Sequence, residues 1–431
     1  MTGALATNDV ALRRTVLSNG LTVLSEHMPG VRSVALGAWV RAASVHESPR
    51  TMGLSHLLEH MVFKGTQRRS AKDIALALES VGGSLDAYTS REHTSYQARV
   101  LDEHVEIAAD VLADLIFRPL LRTTDLEMER KVVLEEISTV EDTPDDMVFE
   151  LHGARLWGDH PYGYPILGTR ETVSSFTSAD LETLHRRAYH PEHIVVAASG
   201  NIEHDDLIQI LETAGWTSFP SGGQSRLAST PAVPALPTTT HFNREGAQTH
   251  VVFGTATMPH GDPRRYAMAL VSTLLGGGMS SRLFQRVREE LGLAYSVYSF
   301  QSFHHDAGVS GVYVGTAPDT AALATEAIVE ELDRVAKEGL PDDEIAAGKN
   351  QLKGQITLSL ESVSSRMYRA AGVELYDEEF RSLDEVLALI DSIDRDSVLA
   401  VCRDFFAPEV QTIVSLGPGG STRIPSINNE N

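Results

Sequence analysis

Cysteine is nearly absent from this sequence of 431 residues, which contains only Cys402. A single cysteine excludes internal disulfide bonds and fits a reducing compartment, so we expect a cytoplasmic protein. Because the apolar residues Leu399, Ala400 and Val401 precede it, we interpret Cys402 as part of a packed helix and not as a nucleophile.

Long apolar runs and basic residues are also scarce. No stretch approaches the roughly 18 uninterrupted apolar residues of a membrane span, and the first 20 residues contain no run of signal-peptide length. Lys and Arg number 36 against 59 Asp and Glu, which gives a formal net charge of −23. This balance argues against nucleic-acid binding and against docking on anionic membranes. A composition of 42% hydrophobic residues is typical of a globular chain with room for several domains.

A segment rich in proline, glycine, serine and threonine lies at the midpoint of the chain, over residues 219–240. Such composition is typical of a linker. We therefore expect an N-terminal domain over residues 1–218 and a C-terminal domain over residues 241–431.

The two halves resemble each other. Arg186–Glu192 and Arg403–Glu409 each precede an apolar run, and their prolines, Pro191 and Pro408, lie 217 residues apart. A repeat at about half the chain length indicates duplication of a domain.

Hydrophobic periodicity predicts the same mixture of elements in both halves. Alternation predicts strands over Leu21–Glu26, Ser33–Ala42, Ser84–Val100, Thr249–Ala256, Tyr295–Phe303 and Gly308–Gly315. Helical spacing predicts helices over Ala71–Val81, Glu103–Phe117, Asp125–Glu141, Thr320–Lys337 and Asp342–Glu361. Because strands cluster and helices follow in runs, we expect an α+β fold: two homologous domains, each an antiparallel-rich sheet with helices packed on it.

The most informative motif is His56-Leu57-Leu58-Glu59-His60. On a helix, at about 100° per residue, the two histidines and the glutamate share one side and the leucines bury on the other. Two imidazoles one turn apart can chelate Zn²⁺, and a glutamate between them can serve a bound water. This order is the inverted zincin signature. In a chain with 17 histidines, a polar helix face without metal is the alternative.

The predicted helix over 125–141 offers the third ligand that a catalytic zinc needs. Helical phase places Glu129 and Glu136 close together beside the apolar face, whereas Glu135 points nearly opposite. Two carboxylates beside a buried stripe are costly unless a cation pairs with them. The alternative is a pair of edge residues whose carboxylates reach solvent.

Taken with Glu136, which follows the motif by 76 residues, the pattern resembles the signature of the pitrilysin/insulinase family of zinc metallopeptidases. The longer string from Gly53 to Thr66 resembles the branch that contains mitochondrial processing peptidase beta subunits and their bacterial homodimeric relatives. The resemblance covers about residues 15–415.

This resemblance implies a role for each residue of the candidate site. In the family the two histidines and the distal glutamate bind zinc, which implies His56, His60 and Glu136 here. The glutamate within the motif activates water, which implies Glu59. A further glutamate seven residues before the third ligand supports the site, and Glu129 stands at that position.

The resemblance also implies substrate-binding residues. Arg288 and Tyr295 match an element whose side chains contact the bound peptide. Spacing alone would indicate only that Arg288 is a solvated helix residue and Tyr295 a strand residue. Gly82–Thr89 is similar to the strand that holds substrate, which implies contacts from Asp86 and Ala87. The family more often has asparagine where Asp86 stands, so this contact has an altered charge.

The family's working unit has four such domains around a chamber, so this chain resembles half of it and a homodimer with shared sites is implied. The expected function is a zinc endopeptidase that cleaves unfolded peptides or presequence-like segments. Under the 217-residue shift, His60 falls near Gly277 and Glu136 near Lys353, so only the first half carries the ligands. The alternatives are a catalytic subunit of a heterodimer and a non-catalytic structural or binding subunit of the same fold.

Overall fold

The computed structural model describes residues 12–222, 227 and 229–418. The strands are β1 (Arg13–Val16), β2 (Thr22–His27), β3 (Ser33–Val40), β4 (Ser84–Thr89), β5 (Thr94–Leu101), β6 (Ile194–Gly200), β7 (Thr239–Asn243), β8 (Thr249–Thr257), β9 (Ala294–Phe303), β10 (Gly308–Thr316) and β11 (Thr412–Gly417). The helices are α1 (Leu54–Val62), α2 (Ala71–Glu79), α3 (Val105–Phe117), α4 (Thr123–Asp142), α5 (Pro144–Trp157), α6 (Arg170–Ser175), α7 (Ser178–Ala188), α8 (His204–Thr213), α9 (Arg265–Gly276), α10 (Ala321–Glu338), α11 (Asp342–Ser359), α12 (Val363–Leu375), α13 (Leu383–Ser392) and α14 (Arg395–Phe405). A π-helical segment, Phe284–Glu290, precedes β9.

The predicted elements have the expected type, with ends that shift by a few residues. One predicted strand, Ser84–Val100, is instead the antiparallel pair β4 and β5. The chain reverses at a turn in which the backbone N–H of Ser90 donates to the carbonyl of His93 at 2.9 Å. This turn contains no glycine or proline, so the usual sequence signal for a reversal is missing.

The described strands form two sheets of related topology. The first has the order β1-β2-β6-β3-β5-β4 and the second has the order β7-β11-β8-β10-β9. Each contains one parallel pair, β2 with β6 and β7 with β11, and its other described pairs are antiparallel. The five strands of the second sheet therefore repeat the order β2-β6-β3-β5-β4 of the first. The predicted α+β fold with two homologous, antiparallel-rich domains is confirmed.

The chain folds into two compact units, each of which is discontinuous in sequence. The first comprises Met1–Glu135, Pro165–Ser229 and Thr357–Val386, and the second comprises Glu136–Tyr164, Thr230–Ile356 and Leu387–Asn431.

These units differ from the two continuous halves expected from the linker, because each half of the chain contributes a helix to the other unit. Helix α12 packs on β2, β3 and β6, and helix α5 packs on β8 and β11. Residues 223–226 and 228 of the expected linker lie outside the described residues. The expected domain limits at residues 218 and 241 stay a prediction.

Helix α12 covers an apolar face of the first sheet. Its buried side chains include Val363 and Met367, which pack in one cluster with Trp39. An ion pair lies beside this cluster: Arg366 donates to the carboxylate of Glu26 on β2, which is 0% exposed. Arg366 also donates through Nε to the carbonyl of Leu360 at 2.6 Å. The charged pair and the apolar face together dock a helix from the second half onto the sheet of the first.

Breaking this ion pair is expected to destabilise the protein. Arg366→Met leaves the Glu26 carboxylate buried without its cation, so the free energy of unfolding should fall by about 3–5 kcal/mol. Urea unfolding measures the change. The double variant Glu26→Leu/Arg366→Met removes both charges and should recover most of the loss. A single variant as stable as the wild type would show that the ion pair does not hold α12.

Two expectations from composition concern Cys402 and the membrane. Cys402 lies on α14 and is buried, and burial raises the pKa of its thiol to about 12. A thiol with so high a pKa is a packing group and not a nucleophile at neutral pH.

Among the described residues, no helix combines the length and the apolar character that a membrane crossing requires.

Candidate metal centre

The start of α1 is held by a carboxylate and by a close glycine contact. Gly53, which precedes the helix, has φ 87°, and a Cβ added there would lie 2.7 Å from the α-carbon of Gly168. The Glu47 carboxylate accepts the N–H of Gly53 at 2.9 Å and the N–H of Ser55 at 2.7 Å. Because these N–H groups belong to the first turn, Glu47 acts as a cap and fixes where the helix begins.

Helix α1 is buried on both of its sides. Leu57, Leu58 and Met61 are fully buried, as the amphipathic pattern predicts. The opposite side is also largely covered, since His56 is 9% exposed and Glu59 is 8% exposed. The histidine side of α1 is therefore largely shielded from solvent, and polar groups in such surroundings are costly unless they have partners.

Helix α4 presents its glutamates in the predicted phase. Glu129 is buried, Glu136 is half-buried and Glu135 is exposed. Although the division into compact units falls between Glu135 and Glu136, α4 is one continuous helix. The observed burial follows from the apolar stripe of α4, because Glu129 and Glu136 lie beside it and Glu135 lies opposite.

Three predicted ligands meet at this point. One ligand atom each from His56, His60 and Glu136 lies within 4.8 Å of the others. The two imidazole rings have centroids 4.5 Å apart. Among the described residues, no other group of three or more histidine, cysteine or carboxylate side chains has such spacing. Two imidazoles and one carboxylate are the donor set of a catalytic zinc site, which leaves the fourth position for water. The donors therefore fit zinc.

The protonation state of His56 also suits a metal ligand. Burial, reinforced by the charge of the neighbouring His60, lowers the pKa of His56 to about 3. Its ring is therefore neutral at neutral pH, which is the form that coordinates a metal.

Glu129 connects His60 to Lys64. Its Oε1 lies 2.9 Å from Nδ1 of His60, and its Oε2 lies 2.6 Å from Nζ of Lys64. Burial alone would raise the pKa of Glu129, but the hydrogen bonds from His60 and Lys64 outweigh it and lower that pKa. A proton on Nδ1 of His60 is thereby favoured, which places the lone pair that a metal requires on Nε2. We did not expect Lys64 from the sequence, although its place four residues after His60 is a usable signal.

The carboxylate of Glu59 contacts the end of β4. Thr89 donates through Oγ1 to Oε2 of Glu59 at 2.6 Å. Tyr96, whose hydroxyl lies 2.7 Å from that of Tyr189, is fully buried, and its pKa is raised by burial and then by the charges of Tyr189 and Glu59. Glu59 thus lies among hydroxyl groups. Neither Thr89 nor Tyr96 was expected from the sequence, because both are distant from Glu59 along the chain.

Strand β4 lies at one edge of the first sheet, and among the described strands it pairs with β5 alone. Asp86 is exposed and Ala87 is half-buried, in keeping with an alternating strand. Oδ1 of Asp86 accepts the N–H of Ala87 at 2.9 Å. The outer edge of β4, which carries both predicted substrate-binding residues, is open to an added strand.

Arg288 and Tyr295 are neighbours within the second unit. Arg288 lies on the π-helical segment and donates through Nη1 to the carbonyl of Tyr295 at 3.0 Å. Its guanidinium stacks between two rings, 4.5 Å from the centroid of Tyr295 and 4.7 Å from that of Phe284. Tyr295 is 76% exposed on β9. The two predicted residues therefore form one exposed aromatic and cationic element.

Two family models match the chain in succession. The model for insulinase (peptidase family M16) matches residues 22–170, which contain His56, His60 and Glu136. The model described as the peptidase M16 inactive domain matches residues 175–352. The second description agrees with the lack of ligands in the second half.

Curated relatives match almost the whole chain. An uncharacterised zinc protease of Streptomyces coelicolor is 41% identical over 91% of this chain and 87% of its own length. An uncharacterised zinc protease of Mycobacterium tuberculosis is 40% identical over 96% of this chain and 95% of its own. One of Bacillus subtilis is 38% identical over 95% of this chain and 99% of its own.

Solved structures share the fold. A protease from Helicobacter pylori superposes with a TM-score of 0.90 at 21% identity, and covers 95% of this chain and 100% of its own. An M16-like peptidase from Alicyclobacillus acidocaldarius gives a TM-score of 0.84 at 20% identity, and covers 95% of this chain and 99% of its own. With two successive family models and relatives of about 40% identity along its length, the chain belongs to the insulinase family of metallopeptidases, peptidase family M16.

Proposed function

We propose that this protein is a zinc-dependent endopeptidase with its metal held by His56, His60 and Glu136. The observation that carries the proposal is the approach of these three donors to within 4.8 Å of one another. Membership in a peptidase family supports peptide substrates, and relatives named zinc proteases support zinc as the metal.

The protein groups around the metal have separate tasks in this proposal. Zinc, when bound, acts as a Lewis acid and lowers the pKa of a coordinated water toward 7. With zinc in place, the carboxylate of Glu59 would take the proton of the attacking water and would pass it to the departing amine. Glu129 orients His60, and Lys64 balances the charge of Glu129.

We propose that substrate adds to the outer edge of β4 as a further strand. Main-chain hydrogen bonds along an open edge provide affinity without strong side-chain requirements. Because the edge N–H of Ala87 contacts Oδ1 of Asp86 at 2.9 Å, an arriving peptide competes with that carboxylate. Only an extended segment can pair with an edge, so the substrate class is unfolded peptides or presequence-like segments.

We further propose a cytoplasmic homodimer in which Arg288 and Tyr295 of one protomer serve the zinc site of the other. The presence of both sets of residues in one chain supports the homodimer over a heterodimer with a degenerate partner. The presence of all three ligands and Glu59 supports an enzyme over a non-catalytic subunit. The single cysteine supports the cytoplasmic location.

Removal of the metal tests the enzymatic proposal. Dialysis against a chelator should abolish cleavage of a quenched fluorescent peptide, because the proposed site then lacks its Lewis acid. One equivalent of zinc per chain should restore the activity, whereas magnesium should not, since two imidazoles favour zinc. Full activity of a preparation that elemental analysis shows to be free of metal would refute the proposal.

Mixing two inactive variants tests the shared sites. Glu59→Gln lacks the base and Arg288→Ala lacks the substrate contact, so exchanged dimers should contain one intact site and regain part of the wild-type activity. Subunit exchange is followed by mass spectrometry of the mixture. Confirmed exchange without recovered activity would contradict a site shared between protomers.

A further inference from the structure

We infer that Thr89 is a positioning residue for Glu59. Strand β4, to which substrate would add, thereby also fixes the orientation of the Glu59 carboxylate. This inference rests on the proposed function, in which Glu59 handles the proton of the water. The supporting residue that the sequence assigned, Glu129, contacts His60 and not Glu59.

The contact has the geometry of a strong hydrogen bond. Oγ1 of Thr89 lies 2.6 Å from Oε2 of Glu59, which is the distance expected for a hydroxyl that donates to a carboxylate. Glu59 is 8% exposed and Thr89 is half-buried, so little water competes with the contact. The contact engages Oε2 of Glu59 and so restricts the rotation of the carboxylate.

The hydroxyl of Thr89 is itself held firmly. Threonine is stiff at χ1 because its Cβ is branched, so the backbone of β4 decides where Oγ1 points. Thr89 pairs with Thr94 of β5 at the closed end of the hairpin. Oγ1 of Thr94 donates to the carbonyl of Ala42 at 2.9 Å, and Oγ of Ser90 donates to the carbonyl of His93 at 2.9 Å. These bonds tie the turn and the strand end to the first sheet.

The remainder of β4 is anchored on the same face. Leu85, four residues earlier in the strand and therefore on the side of Thr89, packs against the cluster of Ile74, Val111 and Leu115. The outer edge of β4 remains open, while its inner face is fixed at both ends. A peptide that adds to this edge is thereby placed relative to the same residue that aims Glu59, so substrate and base share one rigid support.

This arrangement predicts an effect on the chemical step and not on binding. Removing the hydroxyl leaves the main chain of β4 intact, so affinity for peptide should not change. Glu59 then loses the Thr89 hydrogen bond, so its carboxylate is held less closely in the direction that the reaction needs. A displacement of about 1 Å in a reacting group can cost about 100-fold in rate.

Two substitutions of Thr89 separate positioning from packing. Thr89→Val keeps the branched shape and removes the donor, so kcat should fall by about 10- to 100-fold, with KM within about twofold of the wild type. Thr89→Ser keeps the hydroxyl donor and removes the methyl group, and it should keep kcat within a few-fold of the wild type. Thr183→Val is the control, since it removes a threonine hydroxyl that donates to the carbonyl of Ala179 at 2.7 Å on the exposed side of α7, and its kcat should not fall comparably.

Two readouts do not depend on turnover. Elemental analysis should find the same zinc content in Thr89→Val and the wild type. Crystal structures of both should show the Glu59 carboxylate rotated in the variant. Unchanged kcat in Thr89→Val, or equal losses in Thr89→Val and Thr89→Ser, would overturn the positioning role. If the zinc-loaded wild type cleaves no peptide, the proposed function is wrong. If the Glu59 carboxylate has the same position in crystals of Thr89→Val and of the wild type, the positioning role of Thr89 is wrong, whatever the activity.

Discussion

Glu59→Gln is expected to keep its zinc and to lose peptide cleavage by about 10²- to 10⁴-fold, the range for loss of a general base. The amide has nearly the shape of the carboxylate but cannot accept the proton of the water. Its oxygen can still accept the Thr89 hydroxyl that lies 2.6 Å from Oε2 of Glu59, so the site should remain ordered. Turnover of a quenched fluorescent peptide measures the loss of cleavage, and elemental analysis measures the retained zinc.

The matched control for this variant is Glu79→Gln, which removes the same charge from an exposed position at the end of α2. It should retain both zinc and activity. Substantial turnover by Glu59→Gln would remove the assignment of the base. Loss of zinc from Glu59→Gln would instead place this carboxylate among the ligands.

Glu136→Gln is expected to lose most of its affinity for zinc. The amide oxygen replaces an anionic ligand with a neutral one, so zinc binding should weaken by more than about 100-fold, the upper end for loss of an outer partner of a ligand. Competition with a chromophoric chelator measures this affinity, and peptide cleavage should fall with metal occupancy.

The adjacent glutamate provides the control on the same helix. Glu135 is exposed on α4, so Glu135→Gln makes the same chemical change one residue away from the site. It should bind zinc as the wild type does. Equal zinc affinity in Glu135→Gln and Glu136→Gln would contradict the choice of ligand that helical phase and structure both favour.

Most of the candidate site could be predicted from the positions of its residues around their helices. The spacing of His56 and His60 within α1, and the phase of Glu129 and Glu136 on α4, are local properties that a regular helix determines. The approach of the two helices is not local. In the sequence analysis it depended on the resemblance to a family, and in the structure the three ligand atoms lie within 4.8 Å of one another.

The contacts missed by sequence analysis are mostly long-range. Thr89, which contacts Glu59 on α1, lies 30 residues away from it along the chain, and no neighbouring motif indicates its partner. The exchange of α5 and α12 was missed for a related reason. An amphipathic pattern shows that a helix buries one face, but it does not show which sheet receives that face. The linker composition at 219–240 likewise gives no sign that each half of the chain contributes a helix to the other unit.

Zinc-edge anomalous diffraction from crystals of Glu59→Gln tests the metal centre most directly. The variant turns over slowly, so the protein can be crystallised intact with its metal. We expect one anomalous peak per chain, about 2.0–2.2 Å from a nitrogen of His56, a nitrogen of His60 and a carboxylate oxygen of Glu136. A peak at any other position, or none in zinc-loaded crystals, would contradict the account of this protein as a zinc peptidase with that centre.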